Sequence, residues 1–338
     1  MIVDRYFYGK LPDNEKQIYK EIYQGCMEHR DIIPLSVSAD EIKKSYQRII
    51  EALTDDNPLL YFLNQTVMDI AVDSFGNAAV LPQYYITKDS VERYNKKLQN
   101  TVNSLISKLK LTEGSDYERI KRVHDYMCEN VKYDYEGSDP SNTKSFILSH
   151  TIIGVFANQK AQCEGIAKAA KVLLNAVDMK CIFIAGTAKS DHFSNGPHGW
   201  NIVSIDGNPY HMDITYDIGG TKHGVIDYDY LNLTDNLIRR DHVFKSVYPK
   251  CTSTQMNYFT KNGRFFDTQK GLKEYVAQRI DAGDMDFYVR FGGKLKAGDM
   301  YQEIMDYAYT LLCDKGRENV KGYRMVNGAM NTLRFWYK

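Results

Sequence analysis

An α+β fold is predicted by three features of the 338-residue sequence. Apolar residues recur at helical spacing through most of the first 175 positions. From Cys181 onward the pattern alternates with a period of two. Turn-forming pairs at Asp206-Gly207, Asn262-Gly263 and Asn327-Gly328 then mark places where strands reverse.

Residues 12–30 read as a helix opened by Pro12-Asp13-Asn14-Glu15, with Ile18, Ile22 and Cys26 on one face. A second begins at Ser38, where Ser38 and Glu41 form a capping box ahead of Ile42, Tyr46, Ile49 and Leu53. Residues 66–73 and 78–86 form a hairpin around Ser74-Phe75-Gly76-Asn77. Helices over 89–110 and 116–131 come next, the first striped by Val91, Leu98, Val102 and Leu105, the second by Ile120, Val123 and Met127. Residues 152–156 are a short apolar run leading to a helix over 163–174, with Ile166, Ala170, Leu173 and Val177 on one stripe. Residues 181–185 form a buried strand. Strands over 198–205 and 210–216 flank Asp206-Gly207-Asn208-Pro209. The tail adds two short strands joined by Asn262-Gly263, a helix over 268–282, a strand over 285–291, a helix over 299–314 and a hairpin at Asn327-Gly328. Three regions are expected: 1–88, helical with a β-hairpin; 89–250, the core; and 251–338, a compact α+β unit.

Lysine plus arginine equals aspartate plus glutamate, 43 of each, so no global field favours nucleic acid or a membrane surface. Tyrosine is abundant, at 26 residues, and suits peptide or carbohydrate clefts as well as ordinary half-buried positions. The six cysteines are dispersed, without a C-x-x-C pair, so neither a disulfide framework nor a zinc finger is expected. No 18-residue apolar segment occurs, and Met1 to Tyr6 lacks a basic-then-apolar leader. A cytoplasmic location is the simplest expectation, although a secreted chain trimmed at its start would read alike.

Cys163 falls in the first turn of its helix, where unpaired backbone N–H groups and the helix dipole favour a thiolate. A lone cysteine there reads first as a small packed residue. Two residues further along the chain change that reading. A nucleophilic thiol needs a base for its proton, and the base needs an acid to fix its tautomer. His198 and Asp213 supply these in order. With a two-residue turn at Asp206-Gly207, Ile205 faces Asn208, and Asp213 becomes a diagonal neighbour of His198 on one sheet face. A four-residue turn would bring Asp217 opposite instead, and a three-residue turn would separate acid from imidazole.

Gln162-Cys163-Glu164-Gly165-Ile166-Ala167, His198-Gly199-Trp200-Asn201-Ile202-Val203 and Met212-Asp213-Ile214-Thr215-Tyr216-Asp217 together resemble the three motifs of the transglutaminase-like superfamily. The segment from Arg119 to Tyr135, with His124-Asp125-Tyr126 and Tyr133-Asp134, is similar to that family's helix before the nucleophile. The resemblance covers roughly residues 90–250 and extends to bacterial members with added flanking regions. It implies a papain-like core, a cysteine-bearing helix packed on an antiparallel sheet. By it, Cys163 is the nucleophile, His198 the general base and acid, Asp213 the residue that orients His198, and Trp200 a lining residue of the cleft.

The Cys163 backbone N–H is the natural first oxyanion donor. Gln159 and Gln162 are candidates for a side-chain donor, and His192 is a candidate at the cleft border. A zinc site from Cys163, His198, Asp213 and His211 is chemically permitted but lacks a closely spaced ligand pair. The zinc-binding cysteine pairs of the family's glycan-removing amidases are absent, and no calcium-loop pattern is present. No metal or cofactor is therefore expected. The expected function is acyl transfer on peptide or carboxamide bonds of a protein or peptide substrate, with hydrolysis favoured over crosslinking. The alternatives are a protein-glutamine transglutaminase and a non-catalytic peptide- or glycan-binding module on the same fold.

Overall fold

The computed structural model describes residues 4–138, 143–189, 195–221, 225–245 and 247–338. The centre is a five-stranded antiparallel sheet in the order His242–Val243, Cys181–Ala188, Gly196–Ile205, Asn208–Met212, Leu231–Leu233. The helix Cys163–Asn175 packs against it and is buried at every position from Gly165 to Asn175. Lys168, Lys171 and Asn175 are buried along with its apolar residues.

The turn at Asp206-Gly207 has two residues, both left-handed at φ 49° and 79°, and it sets Ile205 opposite Asn208. Pairing ends at Asn201 with Met212. The expected strand over 210–216 stops there because the Asp213 side chain accepts the Tyr216 N–H at 3.2 Å and caps a helix, Ile214–Gly220. An aspartate at such a position offers the chain a helix start in place of the next ladder bond.

In the N-terminal region the helices Asp13–Met27 and Ala39–Asp56 form as expected, and the second carries the Ser38–Glu41 capping box. The strands Leu63–Val72 and Asn77–Tyr84 join a third, Ile33–Ser38, whose alternation was hidden by Pro34. Residues 1–88 share their packing with the core. Ile22, Leu53, Val123 and Leu173 belong to one continuous buried cluster. The chain start is tied to the cysteine helix directly, since buried Lys171 Nζ donates to the Asp4 carbonyl at 2.6 Å and Asp4 N–H donates to Asn175 Oδ1 at 2.9 Å.

The tail has a core of its own, built from Leu272, Val276, Phe287, Ile304, Leu312 and Phe335. Its four-stranded sheet runs Phe265–Phe266, Asp286–Phe291, Thr332–Tyr337, Gly322–Asn327, backed by the helices Gln269–Asp281 and Ala297–Cys313. Asn262-Gly263 differs from expectation. It comes after a short helix, Tyr258–Lys261, which Asn257 caps through the Phe259 N–H, so the pair ends a helix rather than joining two strands.

Candidate active site

Cys163 is the first residue of its helix, and its N–H has no intrahelical acceptor. Two glycines bring the neighbouring chain close. A Cβ on Gly165 would meet the Ser149 and Thr151 carbonyl oxygens at 2.6 and 2.8 Å, so this position seats the helix start on the preceding backbone. A Cβ on Gly199 would strike the Phe183 ring at 2.6 Å and lie 3.6 Å from the Glu164 Cα, so the strand bearing His198 can press against the helix. Asn201 then locks the two together by donating to the Ala167 carbonyl at 3.0 Å.

His198 Nε2 lies 2.6 Å from Asp213 Oδ2, so Nδ1 is the ring nitrogen left for another partner, and Cys163 is near enough to the imidazole to favour its charged form. The structure therefore brings Cys163, His198 and Asp213 together in that order. Burial opposes a charge on His198, but the Asp213 carboxylate, the hydrogen bond to it and Cys163 outweigh this and push the imidazole up to about 10. Burial acts on Asp213 in the opposite sense, and His198 and His242 overcome it, holding the carboxyl well below the usual range.

Asp217 does not compete for His198. One turn further along the helix, it is fully buried, with Oδ2 2.9 Å from His124 Nε2 and Oδ1 accepting the Tyr230 N–H at 2.9 Å. Burial raises it to about 7.

Trp200 stacks 5.8 Å from the His198 ring but is only 1% exposed, so it packs beneath the imidazole instead of lining an open cleft. Its indole N–H donates to His211 Nδ1 at 3.1 Å, and His211 Nε2 lies 2.9 Å from Asp235 Oδ1. These bonds hold His211 behind the tryptophan and engage both of its ring nitrogens, away from the four-ligand zinc arrangement that the sequence merely permitted. Gln162 is buried at the N-cap and donates to the Asp134 carbonyl at 3.1 Å, bracing the loop ahead of Cys163. Gln159 is the exposed left-handed C-cap of the helix Ile152–Asn158. His192 lies outside the described residues.

The sequence reading missed His242. Its Nε2 is 2.9 Å from Asp213 Oδ2, the same oxygen that holds His198, and its Nδ1 is 2.6 Å from Asp241 Oδ1. Tyr230 donates its hydroxyl to Asp241 at 2.5 Å. Only the Asp241-His242 doublet in the sequence hints at this, and no motif marks it. Tyr216 was also missed, and its ring meets His198 edge-on at 5.1 Å. The polar atoms of His198, Asp213 and His242 are near enough to surround an ion, as are those of His211, Asp235 and Cys251. At 2.6 and 2.9 Å, however, the two imidazoles of the first group are in direct hydrogen-bond contact with the carboxylate. In the second group both His211 nitrogens are already engaged.

Residues 103–214, which include all three aligned groups, match the model of the Transglutaminase-like superfamily. The chain carries a transglutaminase-like core within an α+β fold. Kyphoscoliosis peptidase of Mus musculus is 23% identical over 129 residues, 36% of this chain and 19% of that protein. This chain thus aligns with about a fifth of that relative. A solved structure described as a TGase shares 16% identity, covering 56% of this chain and 50% of that one, with a TM-score of 0.31. A candidate cysteine protease from Cytophaga hutchinsonii shares 12% identity over 44% of this chain and 61% of its own, with a TM-score of 0.29.

Proposed function

We propose that this chain performs cysteine-dependent acyl transfer on peptide or carboxamide bonds, with water as the usual acceptor. The observation that carries the reading is the juxtaposition of Cys163, at a helix N-terminus, with His198, whose imidazole is hydrogen-bonded to Asp213. Cys163 Sγ attacks the carbonyl carbon while its proton resides on His198 Nδ1. The Cys163 N–H faces the developing oxyanion. Collapse expels the amine, which takes the proton from His198, and leaves a thioester on Cys163. His198 then removes a proton from water, the hydroxide adds to the thioester, and the second collapse returns the thiol and releases the acid. Asp213 keeps His198 in the tautomer that faces sulfur.

The peptidase name of the mouse relative supports hydrolysis over crosslinking. The test is incubation with an unstructured protein, with and without a primary amine, followed by mass spectrometry of products and of Cys163. Cleavage or side-chain deamidation that falls about a thousandfold in His198→Ala and vanishes in Cys163→Ala is expected. Amine incorporation exceeding hydrolysis would move the assignment to a transglutaminase. Binding without any Cys163 adduct would move it to a non-catalytic module.

A further inference from the structure

Behind Asp213 lies a buried set of titratable side chains, His242, Asp241 and Tyr230. His242 enters the site from the edge strand His242–Val243, which pairs with Thr187 and Ala188. Its two ring nitrogens face two carboxylates, Asp213 Oδ2 at 2.9 Å and Asp241 Oδ1 at 2.6 Å. An imidazole placed between two carboxylates can donate to both only as a cation. Burial opposes that charge, and the bonds to Asp213 and Asp241 overcome it, so the pKa of His242 lies above its ordinary value. The other groups that face His242 are His198, with ring centroids 5.3 Å apart, Tyr216 at 4.8 Å, Tyr230 at 5.8 Å and the Trp200 ring at 4.9 Å. None of these supplies a second positive charge except His198.

Asp213 Oδ2 is therefore shared between two imidazoles, while its Oδ1 accepts the Tyr216 N–H. We propose that His242 is a positioning residue for the acyl-transfer site: it divides the Asp213 carboxylate with His198 and so limits how tightly His198 holds its proton. The inference rests on the acyl-transfer reading. In that cycle His198 must give its proton to a leaving amine as well as take one from sulfur. An acid works best when its pKa is near the working pH, and an undivided buried carboxylate would hold the proton too firmly. A cation on the far side of Asp213 weakens that hold without touching the substrate.

The test uses the full chain with ¹⁵N-labelled histidine, reading the imidazole resonances from about pH 5 to about pH 12. In the unaltered protein His242 is expected to carry protons on both nitrogens near neutral pH. His242→Gln keeps an amide N–H directed at Asp213 but removes the charge. It is expected to raise the His198 midpoint by about one to two pH units. A neutral His242 near pH 7 in the unaltered protein overturns the proposal, whether or not the variant folds. So does His198 behaviour that is the same in both proteins, including protonation persisting unchanged to the top of the range. Iodoacetamide labelling of Cys163, run alongside with His198→Ala, separates this outcome from failure of the acyl-transfer reading. If labelling depends on His198 while the His198 midpoint ignores position 242, only the positioning role falls. If labelling is indifferent to His198, the reading beneath it falls.

Discussion

Asp213 does two jobs with two oxygens, and that explains both its place and its electrostatics. Oδ1 caps the helix Ile214–Gly220, while Oδ2 receives His198 and His242. Because His198 has a raised pKa in the fold, its pairing adds stability that is fully present below the unfolded value of about 6.5 and is lost as pH rises towards about 10. Asp213, with a depressed pKa, adds stability that is present above about 4 and lost as pH falls through its folded value. Denaturant titrations of the unaltered protein are therefore expected to show a decline between about pH 6.5 and 10, of at most about 5 kcal/mol, that flattens in Asp213→Asn. An equal alkaline slope in both proteins would contradict the ion pair. At this scale Cys163, His198 and Asp213 were legible because each sits in an ordered motif. His242 was not, since it reaches Asp213 from 29 residues away through a two-residue edge strand that no periodicity reveals.

The close approach of the helix Cys163–Asn175 to the strand Gly196–Ile205 decides whether thiol and imidazole meet. A methyl group on Gly199 would collide with the Phe183 ring on the neighbouring strand, while on the helix side it would meet the Glu164 Cα at an ordinary contact distance. Gly199→Ala is expected to cost about 1–3 kcal/mol in unfolding free energy and to slow Cys163 alkylation as the collision with Phe183 shifts the strand that bears His198. Loss of stability with unchanged alkylation would show that this spacing does not govern the pair. Most helices were legible from periodicity and capping boxes, and the hairpin register came from Asp206-Gly207. The end of the strand at Met212 was not legible, because alternation continues through Tyr216 while the Asp213 cap stops the ladder. The strand Ile33–Ser38 was concealed by a proline that sits on an edge strand, where no inward N–H is needed.

Across the whole molecule, the N-terminal region completes the hydrophobic core, and the tail joins it through both apolar and polar contacts: Tyr258, Phe259 and Tyr288 belong to the main buried cluster, and Met330 packs with Tyr230, Leu233 and Ile238. Tyr288 donates to Asp229 at 2.8 Å, Arg290 donates to the Asp229 carbonyl at 2.6 Å, and Asn327 and Thr332 both donate to Asp229 Oδ2 at 2.8 Å. Burial raises the Asp229 carboxyl, with the Arg290 charge acting against it. The change of rhythm near Cys251 corresponds to the buried cluster of Leu272, Val276, Phe287, Ile304, Leu312 and Phe335. The shared core of the first two regions was not legible, because sequence pattern marks which residues are buried but not which buried faces meet. All of this architecture converges on one claim, that Cys163 passes its proton to His198. The most direct measurement is the rate of iodoacetamide alkylation near pH 6, resolved by cysteine. Cys163 is expected to react at least about tenfold faster than Cys313, the other half-exposed cysteine, and to lose that advantage in His198→Ala. Equal rates at the two cysteines, or an advantage that survives loss of His198, would contradict the claim.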